Sequence, residues 1–222
     1  MKPYGCRAGL TDELSFMPRR CLRSLQAAAL TLLLLGLSIG VGAAEAASTT
    51  KSAASTTKSA AHVYLLRGAF NVFSLGMDEI AAKLQRQGIY ATVNNYLGWS
   101  GLADEAAAEY KSGRIKTIIL VGHSSGAEAV ASMAARLGEL GVPVKLVIGL
   151  DPLSGPTASG HVGRYINYYV GGGNGKTVNK GRQFSGVLEN VGVERIPDVG
   201  HFSIDKNQSV QDKVVRDIRA AL

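Results

Sequence analysis

Past Cys21 the 222-residue chain has no cysteine, because its two cysteines, Cys6 and Cys21, both lie near the N-terminus. Everything downstream therefore lacks disulfides, thiol chemistry and any Cys-based zinc site, and must be held by an ordinary apolar core. Runs of lysine or arginine interleaved with aromatics are also missing. The formal charge of +7 accordingly reads as solvated surface, and no nucleic-acid partner is expected. No Gly-rich dinucleotide turn or phosphate-binding loop of the right pattern occurs, so a nucleotide-binding sheet protein is not expected, and no motif in the chain calls for a metal or another cofactor.

What is present begins with Arg19, Arg20 and Arg23, an apolar run from Leu25 to Val41 and a small-residue exit at Ala44-Glu45-Ala46. That order is the pattern of an export signal spanning 1–46, and it predicts a periplasmic or secreted protein. The polar stretch before it makes Met17 an alternative start. An uncleaved run would instead anchor the chain in a membrane, the alternative localisation. Residues 47–61 contain a seven-residue repeat, Ser48 to Ala54 and again Ser55 to Ala61. Nothing larger than alanine occupies its apolar positions, so it forms no coiled-coil seam and reads as a polar linker.

From His62 to Leu222 strand and helix patterns alternate. Strands are expected at 62–66, 89–96, 115–121, 144–150, 164–170 and 187–196. Helices are expected at 77–87, 102–111, 125–137 and 209–222. The alternation predicts the α/β class, with a mostly parallel central sheet and helices on both faces. Sites in such sheets form at the carboxyl ends of the strands. No long segment separates Asp151 from Val170, so no lid domain is expected. Gly171 to Arg182 reads as a flexible loop beside the sheet end.

Gly122-His123-Ser124-Ser125-Gly126 fits G-x-S-x-G between an apolar strand and a helix, the setting in which the pattern has mechanical meaning. The turn is too tight for side chains at its flanks, and it lifts Ser124 above the sheet. A serine hydroxyl needs a base, and the base needs an orienting carboxylate. Of four histidines, His201 alone follows a strand at the carboxyl end. His62 begins a strand, His123 is inside the turn and His161 precedes a strand. Asp151 directly follows the apolar strand Val144–Leu150, where an unpaired carboxylate would be costly. Asp198 and Asp205 are the runners-up, close enough to His201 in sequence to shape its loop. Oxyanion donors are expected from the Ser125 N–H and from Ala69 or Phe70 after the first strand. The apolar side chains Phe70, Val72, Phe73, Leu75, Tyr96, Leu97 and Trp99 either line an acyl pocket or pack under loops.

Over residues 62–222 these motifs resemble the α/β-hydrolase superfamily of lipases, esterases and thioesterases. Gly122 to Gly126 resembles its nucleophile elbow. Gly149-Leu150-Asp151-Pro152 resembles the acid-bearing segment of pancreatic-type lipases, and Gly200-His201-Phe202 the histidine loop. The resemblance implies a compact hydrolase fold with a Ser124, Asp151, His201 triad. It implies hydrolysis of a small-molecule or lipid-like ester or thioester through an acyl-enzyme, without a cofactor. Acyl transfer on the same triad, or a non-catalytic binding protein on a hydrolase scaffold, are the alternatives. Arg67-Gly68-Ala69-Phe70 departs from the usual oxyanion loops of the superfamily.

Overall fold

A computed structural model of the protein describes residues 60–69 and 74–222. The expected export segment 1–46, its alternative start Met17, and the linker up to residue 59 lie outside the described residues. So do Phe70, Val72 and Phe73.

The elements run β1 (Ala61–Arg67), α1 (Gly76–Gln85), β2 (Tyr90–Asn95), α2 (Trp99–Lys111), β3 (Thr117–His123), α3 (Ser125–Glu139) and β4 (Val144–Leu150). They continue through β5 (Thr157–Ala158), β6 (Val162–Tyr169), β7 (Asn179–Lys180), β8 (Val187–Gly192) and α4 (Gln208–Ala221). Six strands form one sheet in the order β2-β1-β3-β4-β6-β8, and every pairing in it is parallel.

Side chains alternate across each strand, so an apolar strand feeds two cores at once. Tyr64, Leu66, Ile118 and Leu120 point to a core shared with α2 and α3, which contribute Ala103, Ala106, Val130 and Met133. Val63, Leu65, Ile119 and Val121 point to the other face, where Ile80 and Leu84 of α1 meet Val210, Val214 and Ile218 of α4. The helices therefore cover both faces, as the alternation of strand and helix patterns implies.

Boundaries differ where local turns intervene. Helix α2 starts at Trp99 rather than Leu102, because Asn95 accepts the Leu97 N–H and caps a short 3₁₀ turn over Tyr96–Gly98 that runs straight into it. Strand β8 ends at Gly192, before the expected Ile196, since the Ile196 N–H turns back to the Val193 carbonyl. Tyr96 and Trp99 pack against the α2–α3 core, whereas Leu97 is exposed. The pair β5 and β7 has no counterpart in the hydrophobic pattern: two residues each are too short to show a period.

Register is what assembles a site. Leu66 pairs with Gly122, Gly122 with Gly149 and Gly149 with Asn167, so β1, β3, β4 and β6 end nearly level. The ladder runs one step further: the Ser124 N–H bonds the Leu150 carbonyl at 2.9 Å, and the Asp151 N–H bonds that of Tyr168 at 2.8 Å. Ser124 and Asp151 thus leave adjacent strands at the same height. Glycines make the crossing possible, since a Cβ on Gly122 would overlap the Gly126 backbone and one on Gly126 would overlap that of Leu66. Gly122→Ala should therefore lower unfolding stability by about 1–3 kcal/mol or more in urea denaturation, and an unchanged midpoint would show that the elbow relaxes freely.

Candidate active site

Ser124 and Asp151 both sit where backbone geometry is unusual. Ser124 has φ 56 and ψ −124, and Asp151 has φ 52, a region that side chains rarely occupy. Strain of about 1–3 kcal/mol per residue persists only where the surroundings over-determine it. Here they do. Ser124 is wedged between the end of β3 and the first turn of α3, whose Ala127 N–H bonds the Ser124 carbonyl at 2.8 Å.

The Ser124 hydroxyl donates to His201 Nε2 at 3.0 Å, and His201 Nδ1–H donates to Asp151 Oδ2 at 2.7 Å. The Asp151 carboxylate has no solvent exposure, and its Oδ1 accepts the Val170 N–H at 2.7 Å. With one oxygen on the Val170 N–H and the other on the imidazole, the buried carboxylate is fully hydrogen-bonded and fixes the His201 ring with its N–H on Nδ1. The structure therefore brings Ser124, His201 and Asp151 into one hydrogen-bonded chain. It keeps apart the alternatives to the acid: Asp198 and Asp205 both stay off His201 Nδ1. Of the other histidines, His62 is buried against Glu109 at 3.0 Å and Thr92 at 2.9 Å, while His161 packs on Gly138 of α3.

Gly171 to Arg182, expected to be a flexible loop, is instead folded over the acid. The Lys176 N–H bonds the Pro152 carbonyl at 2.7 Å, the Asn167 amide bonds the Lys176 carbonyl at 2.9 Å, and β7 pairs with β5. Gly175 lies so close to Asp151 that any Cβ there would overlap the carboxylate. The physical reason is that backbone and amide hydrogen bonds to Pro152, Asn167 and β5 hold the segment, and glycine at 175 lets it lie against the carboxylate. Between Asp151 and Val162 the chain makes only the two-residue strand β5.

On the oxyanion side, Ser125 opens α3 next to Ser124. Gly68 lies against the elbow, where a Cβ would stand 2.9 Å from the His123 carbonyl and from Ser124 Cβ. Its own N–H donates to Ser74 Oγ at 3.1 Å. Ala69 is among the described residues and Phe70 is not. Exposed apolar side chains follow several strand ends: Leu75, Leu97, Leu153 and Phe202, the last edge-on to the His201 ring at 5.1 Å. Glu128 of α3 holds the Leu153-Ser154 turn, accepting both backbone N–H groups at 2.8 and 2.7 Å.

Two more buried titratable groups lie beside these residues: His123 of the elbow and Asp205, a runner-up for the acid. His123 Nε2–H donates to the His201 carbonyl at 2.8 Å, and its Nδ1 meets Ser74 Oγ at 2.8 Å. Asp205 accepts the Gly76 N–H at 3.0 Å through Oδ2, while its Oδ1 lies 4.0 Å from His123 Nδ1. The only signal for His123 was its place in the elbow, which speaks of the turn and not of the partners that fold around it.

An α/β protein with a wholly parallel sheet and a Ser–His–Asp chain at its carboxyl edge is thus defined. No protein-family profile matches the chain, and no curated protein matches it. Among solved structures it is similar to a putative hydrolase of the alpha/beta superfamily from Xanthomonas campestris, at 14% identity and a TM-score of 0.43, covering 72% of this chain and 98% of that one. It is also similar to an acetylxylan esterase, at 13% identity and a TM-score of 0.44, with 73% and 98% covered. A third likeness is to the NocB thioesterase domain of the nocardicin cluster, at 12% identity and a TM-score of 0.44, with 75% and 96% covered.

Burial shifts His123 and Asp205 in ways that oppose each other in stability. The His123 imidazole is pushed down to about 4 from its ordinary 6.5, so between those values the unfolded chain binds a proton that the folded one refuses. Its stabilising contribution is complete above about pH 6.5 and is lost as pH falls toward 4. The Asp205 carboxyl is pushed up to about 6 from 3.8 by burial, with Lys206 opposing and Glu79 reinforcing, so the folded chain protonates first. Its destabilising contribution is complete above about pH 6 and eases as pH falls toward 3.8. Asp205→Asn keeps an acceptor for Gly76 and removes the second slope. Its Tm should fall more steeply than that of the wild type between pH 6.5 and 4, and parallel curves would mean that Asp205 titrates in its ordinary range.

Proposed function

We propose that this chain is a serine hydrolase that cleaves a carboxylic ester or thioester through an acyl-enzyme. The observation that carries the reading is the continuous hydrogen-bonded chain Ser124–His201–Asp151, at 3.0 and 2.7 Å, with the hydroxyl at a helix N-terminus. Ser124 Oγ attacks the carbonyl carbon while His201 Nε2 takes its proton, and the proposed donors to the tetrahedral oxyanion are the N–H groups of Ser125 and Ala69. Collapse expels the alcohol or thiol, which leaves with the proton from His201. Water then attacks the acyl-enzyme with His201 again as base, releasing the acid and restoring Ser124. Asp151, on Nδ1, holds the imidazole in the working tautomer. Each oxyanion donor contributes about 2.7–4 kcal/mol in sites of this kind.

The exposed Leu75, Leu97, Leu153 and Phe202 support an apolar, lipid-like acyl group as substrate. The purified full-length protein should take a fluorophosphonate label at Ser124, and hydrolyse a medium-chain ester faster than an acetyl ester. Ser124→Ala should lose both activities with an unchanged melting temperature. A folded wild-type protein that takes no label is incompatible with an activated serine, and would turn the search toward binding partners.

We also propose export, on the basic, apolar and small-residue order of residues 1–46. N-terminal sequencing of the mature protein should begin just after Ala46, and an intact N-terminus in the membrane fraction would establish anchoring instead.

A further inference from the structure

Consecutive residues of the elbow hold the same histidine at opposite ends. Ser124 Oγ meets the His201 ring at Nε2, and the preceding His123 meets the His201 backbone carbonyl at 2.8 Å. With Asp151 on Nδ1, the base is held at three points, two of them supplied by adjacent residues of one turn.

The donors and acceptors around His123 admit one assignment. A carbonyl only accepts, so the His123 proton sits on Nε2 and Nδ1 carries the lone pair. The Ser74 hydroxyl must then donate to Nδ1, at 2.8 Å, which leaves Ser74 Oγ to accept the Gly68 N–H at 3.1 Å. The resulting relay runs Gly68 N–H to Ser74, Ser74 O–H to His123, and His123 N–H to the His201 carbonyl. It joins the backbone of the β1–α1 segment, which packs against Ser124 Cβ, to the backbone of the base loop. His123 is 1% exposed, and its depressed affinity for a proton keeps it neutral near pH 7, so the pattern is not scrambled by a second N–H. The other groups facing it are His201, whose ring centre lies 5.3 Å away, and the Asp205 carboxylate. Asp205 is itself pinned to Gly76 at the start of α1, so the same two segments are tied a second time.

We infer that His123 is a positioning residue: through Ser74 on one side and the His201 carbonyl on the other, it sets the general base and the oxyanion-side loop at a fixed spacing about Ser124. This rests on the hydrolase reading above, but its geometry can be tested apart from it. The relay takes part in no proton transfer to substrate. Its effect is to keep His201 Nε2 within reach of the Ser124 proton while the loop after β1 stays registered against the nucleophile, and a misplacement of about 1 Å costs on the order of a hundred-fold in rate.

The experiment compares the full-length wild type with His123→Asn, His123→Gln and Ser74→Ala. Asparagine keeps an acceptor near the Nδ1 position and loses the donor to the His201 carbonyl. Glutamine carries an amide N–H to the Nε2 position and loses the acceptor for Ser74. The readouts are the second-order rate of fluorophosphonate labelling, kcat and KM on an ester, and the downfield proton resonance between His201 Nδ1 and Asp151. His123→Asn should label about ten- to a hundred-fold more slowly, with the loss in kcat and KM nearly unchanged, and its downfield resonance should shift or broaden. His123→Gln should recover most of the rate and the resonance. Ser74→Ala should give a smaller loss of labelling rate while leaving the resonance in place. If folded His123→Asn labels within about two-fold of the wild type with its resonance unmoved, the inference is overturned and His123 is packing alone. Should the wild type take no label while the resonance still moves in His123→Asn, the hydrolase reading fails and the positional tie stands.

Discussion

A carboxylate without solvent, at the end of a strand buried on both faces, is the constraint around which the rest of the molecule is arranged. Burying the Asp151 carboxylate is costly unless its oxygens find hydrogen-bond donors, and they find the Val170 N–H and the His201 ring. The first ties β4 to the end of β6, and the second draws in a loop from the far end of the chain. Gly175 then closes the remaining space with backbone, because no side chain fits against the carboxylate. Two stretches that look unrelated in sequence, the Gly-rich segment after β6 and the turn before α4, thus meet at one carboxylate.

The elbow depends on close approach in the same way. Gly122, Gly126 and Gly68 bring the ends of β1 and β3 and the start of α3 into backbone contact, leaving Ser124 in a conformation it would not adopt alone. Strain at Ser124 is tolerable because the two apolar cores on either face hold β3 in place. The exposed edge of the site includes the Leu153-Ser154 turn, which a single side chain, Glu128, ties through both backbone N–H groups.

Legibility followed periodicity and position. Strands β1, β3 and β4 announce themselves as apolar runs because both their faces are buried, and α4 because its apolar residues recur at helical spacing. Ser124, Asp151 and His201 could be paired on paper since each follows a strand, and parallel strands deliver their carboxyl ends to one edge. The function of His123 could not be read in that way. Its two partners are a serine forty-nine residues earlier and a carbonyl seventy-eight residues later. Neither bond leaves a mark in local pattern. The same holds for the β5–β7 pair, and for the roof over Asp151, which reads as a flexible run of glycines until the carboxylate beneath it is seen.

By itself the sequence determined the order of strands and helices, the tight turn that raises Ser124, and the residue types needed for a relay from hydroxyl to imidazole to carboxylate. These are properties of local spacing, fixed by strand and helix periods and by where glycine is required. Tertiary structure decided which carboxylate meets His201, why Asp205 does not, and how His123 binds the base loop to the segment after β1. Those choices depend on register between strands and on desolvation, and both come into being only once segments distant in the chain are packed together.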